Sequence, residues 1–332
     1  YYGGIKKYQW VTLPLALHGV VIRADGAAVN VSIGESADEP VFFITDLLPH
    51  LGREQNKKTL AEAFTGESLN LLISSRPAGG EKSPDRFKLA VLELLNEKYG
   101  IEEADFLSAE LEAVPAGAAR DSGLDRSLIG AYGHDDRSCA FSALRAMLGL
   151  GTPEKTAVCI LSDKEEVGSD GVTGGRSQAF ETFIAQLCGG DVAVLPRAFE
   201  RSFCLSSDVC NAFDPNFPEV SEKNNAAKIN HGVGIMKFTG SGGKSGSSDA
   251  SAETVARLRR AFAERGVLWQ MTELGKVDQG GGGTIAKFMA NRNIETIDAG
   301  VPVLSMHAPW ELISKLDLFM TYKGALAVYE NI

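Results

Sequence analysis

Two adjacent glutamates, Glu165 and Glu166, stand in an acidic segment, 163–169, that follows the apolar run 156–161. The apolar run predicts a buried parallel strand, so both carboxylates would follow its carboxyl end, where open α/β sheets bind their ligands. A turn there could direct one glutamate to a metal ion and leave the other beside a water bound to that ion. The alternative is an ordinary solvated acidic turn.

Three other side chains that could bind a metal stand at similar points of the sequence. Asp135 precedes a helical pattern, Asp208 follows a predicted strand at 203–207, and His307 follows another at 301–306. Because parallel strands end at one edge of a sheet, we expect these side chains to share a crevice with the glutamates. Carboxylates and imidazole suit zinc or a similar divalent ion, and a carboxylate that bridges two ions can help them to activate a water.

Each of these residues also has a purely structural interpretation. Asp135 could be the N-cap of the following helix, Asp208 a turn residue, and His307 a core histidine. Only the joint pattern favours a metal site. The glycine run 280–284 precedes a predicted helix, so its N–H groups could bind an anion or a carbonyl oxygen, or it could be a flexible loop.

Composition excludes several classes of protein. The chain has 332 residues, of which 44% are hydrophobic, and this is enough for two domains with cores of their own. A net charge of −10 argues against nucleic acid or an anionic membrane as a partner, and no apolar run approaches the length of a membrane span. The five cysteines are scattered, which favours free thiols and a reducing, cytoplasmic location.

The two halves of the chain differ in their pattern. Residues 1–128 are rich in strand-like runs, and the Ala/Gly/Ser-rich stretch 115–123 predicts a boundary. Residues 129–332 alternate strands and helices, which predicts an α/β domain with a mostly parallel sheet between helices. Predicted strands are 8–22, 28–33, 41–44, 69–74, 105–113, 156–161, 191–195, 203–207, 233–239, 267–272 and 301–306. Predicted helices are 87–99, one after 136, 177–188, 250–265, 284–291 and one at the end.

Seven motifs of the chain, in the same order, resemble those of the M18 family of metallo-aminopeptidases, which includes the aspartyl aminopeptidases and vacuolar aminopeptidase I. The resemblance covers nearly all of the chain, and related M42 peptidases share only some of these motifs. The motifs are Tyr2-Gly-Gly-Ile-Lys-Lys, Gly133-His-Asp-Asp-Arg-Ser-Cys139, Asp163-Lys-Glu-Glu-Val-Gly-Ser169, Ser206-Ser-Asp-Val-Cys-Asn-Ala212, Asp214-Pro-Asn-Phe217, Gly281-Gly-Gly-Thr-Ile285 and Ser305-Met-His-Ala308.

The resemblance implies a catalytic site with two divalent metal ions, zinc in the first place and cobalt or manganese as alternatives. Asp135 would bridge the two ions, Glu166 and His307 would complete one metal site, and Asp208 would belong to the other. Glu165 would be the general base. Asp136 would orient Asp135, with the peptide bond between them held cis.

The resemblance also implies short peptides as substrates. Lys237 matches the position that meets an acidic side chain in aspartyl aminopeptidases, which implies a preference for N-terminal Asp or Glu. The alternative is that Lys237 only keeps an edge strand soluble. Gly282, Gly283 and Thr284 would line the same pocket. Some family members and the M42-type enzymes prefer neutral residues instead.

The family's first ligand lies in a His-x-Asp motif upstream of Tyr-Gly-Gly, and this sequence does not contain it. We expect that this segment either precedes Tyr1 or is missing from the gene product, so the second metal site is incomplete here. A catalytically impaired scaffold subunit of the same fold is therefore an alternative. A deacylase or carboxypeptidase would need an arginine clamp, for which only Arg137 and Arg176 lie near the motifs.

The resemblance further assigns residues 1–128 to an inserted dimerisation domain and residues 129–332 to the catalytic domain. It implies a homo-oligomer in which dimers assemble into a dodecamer.

Overall fold

The computed structural model describes residues 4–78, 84–242, 245, 246 and 248–332. Tyr2 and Gly3 of the first motif lie outside the described residues. The chain forms two compact units, Ile5–Ala119 and Arg120–Ile332, and Gly4 belongs to the second. The division precedes the predicted boundary at residue 128 because residues 120–122 pair within a sheet of the second unit.

The first unit is built on a three-stranded antiparallel sheet in the order β2-β1-β5, and a short antiparallel pair, β3-β4, accompanies it. Its core contains Leu15, Val21, Val31 and Ile33, whose side chains point to one face of the sheet. The strands are β1 (Leu15–Ile22), β2 (Ala28–Ile33), β3 (Phe43–Ile44), β4 (Leu71–Leu72) and β5 (Ala109–Pro115), and the helices are α1 (Leu60–Ala63) and α2 (Arg86–Tyr99).

The predicted strand 105–113 begins only at Ala109, since residues 103–108 form a 3-10 helix. Asp105 is the cause. It accepts the backbone N–H of Glu102, which closes a capping box, and also that of Ala24 at 3.0 Å. Aspartate favours such local caps over an extended strand. The prediction was therefore wrong in its first four residues.

The second unit contains the remaining elements. Its strands are β6 (Arg120–Ser122), β7 (Leu128–Ala131), β8 (Phe203–Ser206), β9 (Cys210–Asn211), β10 (Val233–Met236), β11 (Gly240–Ser241), β12 (Trp269–Met271), β13 (Gly281–Gly282), β14 (Glu295–Gly300), β15 (Pro302–Leu304) and β16 (Glu311–Ser314). Its helices are α3 (His134–Leu148), α4 (Ala179–Leu187), α5 (Leu195–Glu200), α6 (Ala252–Glu264), α7 (Ala286–Ala290) and α8 (Lys315–Asn331). The α/β class predicted for this half is confirmed.

The sheets of the second unit are mixed rather than mostly parallel. In the order β12-β10-β14-β8, β10 pairs with β12 in parallel and with β14 antiparallel. In the order β6-β7-β16-β15-β9, only β15 and β9 are parallel. An alternation of strands and helices along the sequence does not determine the direction in which each strand enters the sheet, and this explains the difference.

Two predicted strands are wrong. The structure assigns no strand at 156–161, where Ile160 and Leu161 are 46% and 57% exposed. In the predicted strand 191–195, Val192–Val194 form a 3-10 helix that leads into α5, because Asp191 accepts the N–H of Ala193 and Pro196 stands in the first turn of α5. A short apolar run does not distinguish a strand from a helix when a cap and a proline flank it.

The core of the second unit lies between the sheet β12-β10-β14-β8 and helices α6 and α8. Leu258, Ala261 and Phe262 of α6 pack on Val233 and Ile235 of β10. All five cysteines lie in described segments and are free thiols, as predicted. Among the helices of the described residues, none combines the length and apolar character that a membrane crossing requires.

Candidate metal centre

Asp135 lies in the turn that connects β7 with the body of α3. Gly133 lies in this turn in a left-handed conformation, with a φ of +70°. The guanidinium of Arg137 donates to the carbonyls of Tyr132 and Gly133, at 2.7 and 3.1 Å, and so holds the turn in place. The peptide bond between Asp135 and Asp136 is cis, as the resemblance implied.

Glu165 and Glu166 belong to a 3-10 helix, Glu165–Val167, and not to the end of a strand. Left-handed residues bound this helix on both sides, Lys164 with a φ of +59° and Gly168 with a φ of +91°. The N–H of Ser169 donates to the carbonyl of Lys164 at 2.9 Å and closes the turn. A compact turn therefore positions the two carboxylates.

Asp208 and His307 stand near the ends of strands, as predicted. Asp208 follows β8, and the carbonyl of Asp208 lies against Gly300 of β14, where an added Cβ would be only 1.9 Å from it. His307 follows β15 and is left-handed, with a φ of +64°, which non-glycine residues seldom adopt. Its N–H donates to Oε1 of Glu311 at 2.7 Å.

These side chains converge in two groups that share Asp135. Asp135, Glu166 and His307 form one group, in which Nε2 of His307 lies 3.0 Å from Oδ2 of Asp135 and 3.0 Å from Oε1 of Glu166. Asp135, Asp136 and Asp208 form the other. In each group, one ligand atom from every residue lies within 4.8 Å of the others. Asp136 was expected only to orient Asp135, but its own carboxylate oxygen is also placed where it could bind a metal ion.

Burial and the charges of neighbouring carboxylates raise the pKa values of Asp136, Asp208 and Glu165. Burial raises the pKa of Asp136 to about 8, and it raises the pKa of Asp208 well above its usual range, with the charge of Asp136 as the next cause. The pKa of Glu165 is raised, first by burial and then by the charges of Glu166 and Asp135. Such a concentration of carboxylates attracts a cation.

His307 has the opposite effect on the pKa of Glu166. Its hydrogen bond holds the pKa of Glu166 below the usual range. The carboxylates of Asp135 and Glu166 in turn raise the pKa of His307 to about 11. The two adjacent glutamates therefore have pKa values shifted in opposite directions.

The donor set fits a divalent metal ion. Both groups consist of carboxylate oxygens and, in one group, an imidazole nitrogen, which are ligands of zinc and of harder divalent ions. Oδ1 of Asp136 is buried without a hydrogen-bond partner among the described residues. A buried carboxylate oxygen without a partner is costly, and a cation between the three aspartates would satisfy it.

The two groups open into a cavity of about 280 Å³. Glu165 lines this cavity together with Asp135, Glu166, Asp208 and His307. Gly282, Gly283 and Thr284 line it as well, and the Thr284 hydroxyl donates to Oδ1 of buried Asp298 at 2.9 Å. The glycine run is partly a strand, because Gly281–Gly282 pairs with Gly240–Ser241.

The structure does not bring Lys237 into this cavity. Its ammonium lies 2.6 Å from Oδ1 of Asp249, and Lys237 does not line the cavity. The expectation of contact between Lys237 and an acidic substrate side chain therefore has no support from the geometry. Among the described residues that line the cavity, Lys276 is the only lysine or arginine.

Sequence reasoning missed three residues at this site. Glu311 accepts N–H groups from both Asp135 and His307, and the carbonyl of Gly4 lies 3.3 Å from Nδ1 of His307. Lys276 is the third. The spacing His307-x-x-x-Glu311 and the Tyr-Gly-Gly motif were the available signals for the first two, while nothing in the sequence directs Lys276 to the cavity.

Comparisons with known proteins point to one family. The family model described as "Aminopeptidase I zinc metalloprotease (M18)" matches residues 1–329. The "Probable M18 family aminopeptidase 1" of Clostridium acetobutylicum is 52% identical over 335 residues, a match that covers 100% of this chain and 72% of that protein.

Solved structures agree with the sequence matches. The crystal structure of an M18 family aminopeptidase from Thermotoga maritima superposes with a TM-score of 0.96 at 47% identity, over 100% of this chain and 74% of that one. A dodecamer of mApe1 from Saccharomyces cerevisiae is similar in fold, with a TM-score of 0.73 at 21% identity, over 99% of this chain and 71% of that one.

Proposed function

The chain belongs to the M18 family of metallo-aminopeptidases, and we propose that it removes the N-terminal residue of short peptides at a two-metal centre with Glu165 as the general base. The observation that carries this proposal is the convergence of two ligand groups on Asp135. A carboxylate common to two groups suits a bridging ligand.

The ligands of the proposed centre follow from the two groups. Glu166 and His307 would complete the site on one side of Asp135, and Asp208 with Asp136 would form the other. When bound, zinc or another divalent ion supplies Lewis-acid chemistry, which polarises the scissile carbonyl and lowers the pKa of water. Cobalt and manganese accept the same donors.

Glu165 would transfer protons during the reaction, as its general base. It lines the cavity beside the ligands and belongs to neither ligand group, so its carboxylate stays available. As general base, it takes a proton from the attacking water and then delivers a proton to the leaving amine. Its raised pKa suits a group that must both accept and release a proton.

Two substrate preferences have support from the cavity. We favour N-terminal Asp or Glu, because the Lys276 ammonium could pair with an acidic side chain. The second candidate is a preference for neutral apolar residues. It is supported by the apolar side chains among the lining residues, which are Val209, Met236, Phe238, Leu274, Val277 and Met306.

We further propose that the chain assembles with copies of itself through its first unit, as dimers that build a dodecamer. The dodecamer of the yeast protein supports the assembly. Many large apolar side chains of the first unit are exposed along residues 41–73, including Leu51 at 69% and Leu60 at 66%. Contiguous exposed apolar patches mark interaction sites, and we propose that these side chains form such a patch.

Metal analysis combined with kinetics tests the catalytic proposal. Protein treated with a chelator and then with zinc, cobalt or manganese should bind two equivalents per chain and hydrolyse an aminoacyl anilide. Glu165→Gln should keep both equivalents and lose roughly 10²- to 10⁴-fold in kcat. Full activity of this variant would remove Glu165 from the mechanism. One equivalent or none, without turnover, would favour the scaffold alternative.

A further inference from the structure

Two of the proposed ligands are held by one buried carboxylate that does not itself face the metal groups. Oε2 of Glu311 accepts the N–H of Asp135 at 2.9 Å, and Oε1 accepts the N–H of His307 at 2.7 Å. Glu311 is only 2% exposed. We propose that Glu311 and the carbonyl of Gly4 are positioning groups that determine how tightly the centre binds metal. The inference rests on the metal-binding part of the proposed function.

Strand pairing explains why Glu311 can reach both backbones. Glu311 begins β16 and stands opposite Ala131, the last residue of β7, in the antiparallel register. The turn that carries Asp135 starts directly after Ala131. His307 precedes β16 in the turn from β15, so both ligand-bearing turns lie beside the same carboxylate. The Glu311 side chain thus links two turns that are distant in sequence.

The contact with His307 matters because of the backbone conformation of that residue. His307 is left-handed, which residues with a Cβ adopt rarely unless the surroundings hold them there. The hydrogen bond from its N–H to Glu311 is one such restraint. Without it, the turn is free to relax, and the imidazole would move with it.

Gly4 restrains the other end of the same histidine. A carbonyl oxygen can only accept, so Nδ1 of His307 must donate to the carbonyl of Gly4, and Nε2 is left facing Asp135 and Glu166. A Cβ at Gly4 would lie 2.6 Å from Nδ1. Only glycine leaves room for the imidazole in this position.

The competing interpretation is that Glu311 merely stabilises the fold, and the second unit contains a matched control for this. Asp317 is fully buried and also accepts two backbone N–H groups, from Asn230 at 2.8 Å and Gly232 at 2.7 Å. It belongs to neither ligand group and does not line the cavity. Its loss should cost stability without affecting the ligands.

Calorimetric titration of the metal-free protein with Co²⁺ tests the inference, together with thermal unfolding. Glu311→Gln removes one acceptor oxygen and should weaken Co²⁺ binding roughly 10- to 100-fold, the usual effect of losing a group that orients ligands. Asp317→Asn should lower the melting temperature and leave the Kd for Co²⁺ unchanged. Gly4→Ala should weaken binding as well, and it keeps the test decisive if Glu311→Gln does not fold.

Each outcome decides between the two interpretations. The inference would be overturned if Glu311→Gln bound Co²⁺ with an unchanged Kd. If Glu311→Gln does not fold, an unchanged Kd of Gly4→Ala for Co²⁺ would overturn it. Equal weakening in Asp317→Asn would do the same, because it would show a general effect of stability. If the unmodified protein bound no Co²⁺, the proposed metal centre itself would be rejected. If the unmodified protein and all three variants bound Co²⁺ with the same Kd, only the positioning role of Glu311 and Gly4 would be rejected.

Discussion

Glu165 and Glu166 show how two neighbouring residues of the same type acquire different chemistry. The pKa of Glu165 is raised by burial, whereas the pKa of Glu166 is lowered by its hydrogen bond with His307. Environments that separate the pKa values of paired carboxyls are typical of sites in which one group binds charge and the other transfers protons. The opposite shifts therefore support the division of roles proposed above.

The proposed preference for N-terminal Asp or Glu depends on a single lysine, and two lysines allow a direct comparison. Lys276→Met should lower the ratio of kcat/KM for an aspartyl over a leucyl anilide roughly 10- to 100-fold, since a hydrogen bond to a charged group is lost. Lys237→Met should leave this ratio unchanged, because its ammonium already pairs with Asp249 outside the cavity.

The opposite pattern, with the ratio sensitive to Lys237 alone, would restore the role that the family resemblance implied. A leucyl preference that neither substitution changes would favour the neutral-residue candidate and its apolar lining.

At the scale of elements, the short strands β11 and β13 form part of the cavity wall. Gly281 pairs with Ser241 and has a φ of +103°, and a Cβ there would lie 2.0 Å from the carbonyl oxygen of Gly240. Its neighbour Gly282 lies in the same strand, but a Cβ there would meet only the Leu274 side chain at 3.4 Å. The backbone therefore requires glycine at position 281, whereas position 282 has room for a Cβ.

Gly281→Ala should lower the free energy of unfolding by about 1–3 kcal/mol through overpacking, measured by urea denaturation. It should also lower kcat/KM, because the wall that carries Gly282 and Gly283 shifts. Gly282→Ala is the control and should leave the stability unchanged. Equal stabilities of the two variants would show that the wall adapts, and that the left-handed conformation at Gly281 is not required.

At the scale of the whole molecule, the proposed assembly predicts a mass well above that of one chain. Light scattering after size-exclusion chromatography should give a multiple of 35.4 kDa. Leu51→Glu combined with Leu60→Glu should lower this mass, since charged residues are disfavoured in the core of an interface. Leu124→Glu, at a fully exposed leucine of the second unit, serves as the control.

A monomeric unmodified protein would refute the assembly. If the control lowered the mass as much as the paired substitution, the interface would not be specific to the first unit.

Much of the fold could be predicted because its signals are local. The helices α2, α4, α6 and α8 follow from apolar periodicity and caps, as at Ser251, whose side chain accepts the N–H of Thr254 at the start of α6. The errors at 156–161 and 191–195 arose where a short apolar run was the only signal. The parallel or antiparallel direction of each strand could not be predicted either, because strands pair with segments that are far apart in the chain.

The sequence by itself determined the family and the identity of the residues that could bind metal, because motif order and side-chain chemistry are properties of the chain. Only the tertiary structure decided how these residues are supported. Glu311 accepts the backbone N–H groups of both Asp135 and His307. Asp136 lies with Asp135 and Asp208 in one group of possible ligands. Lys276 lines the cavity, and Lys237 does not. The physical reason is that a side chain's direction depends on the register of strands and turns that pair over long distances, which local patterns do not encode.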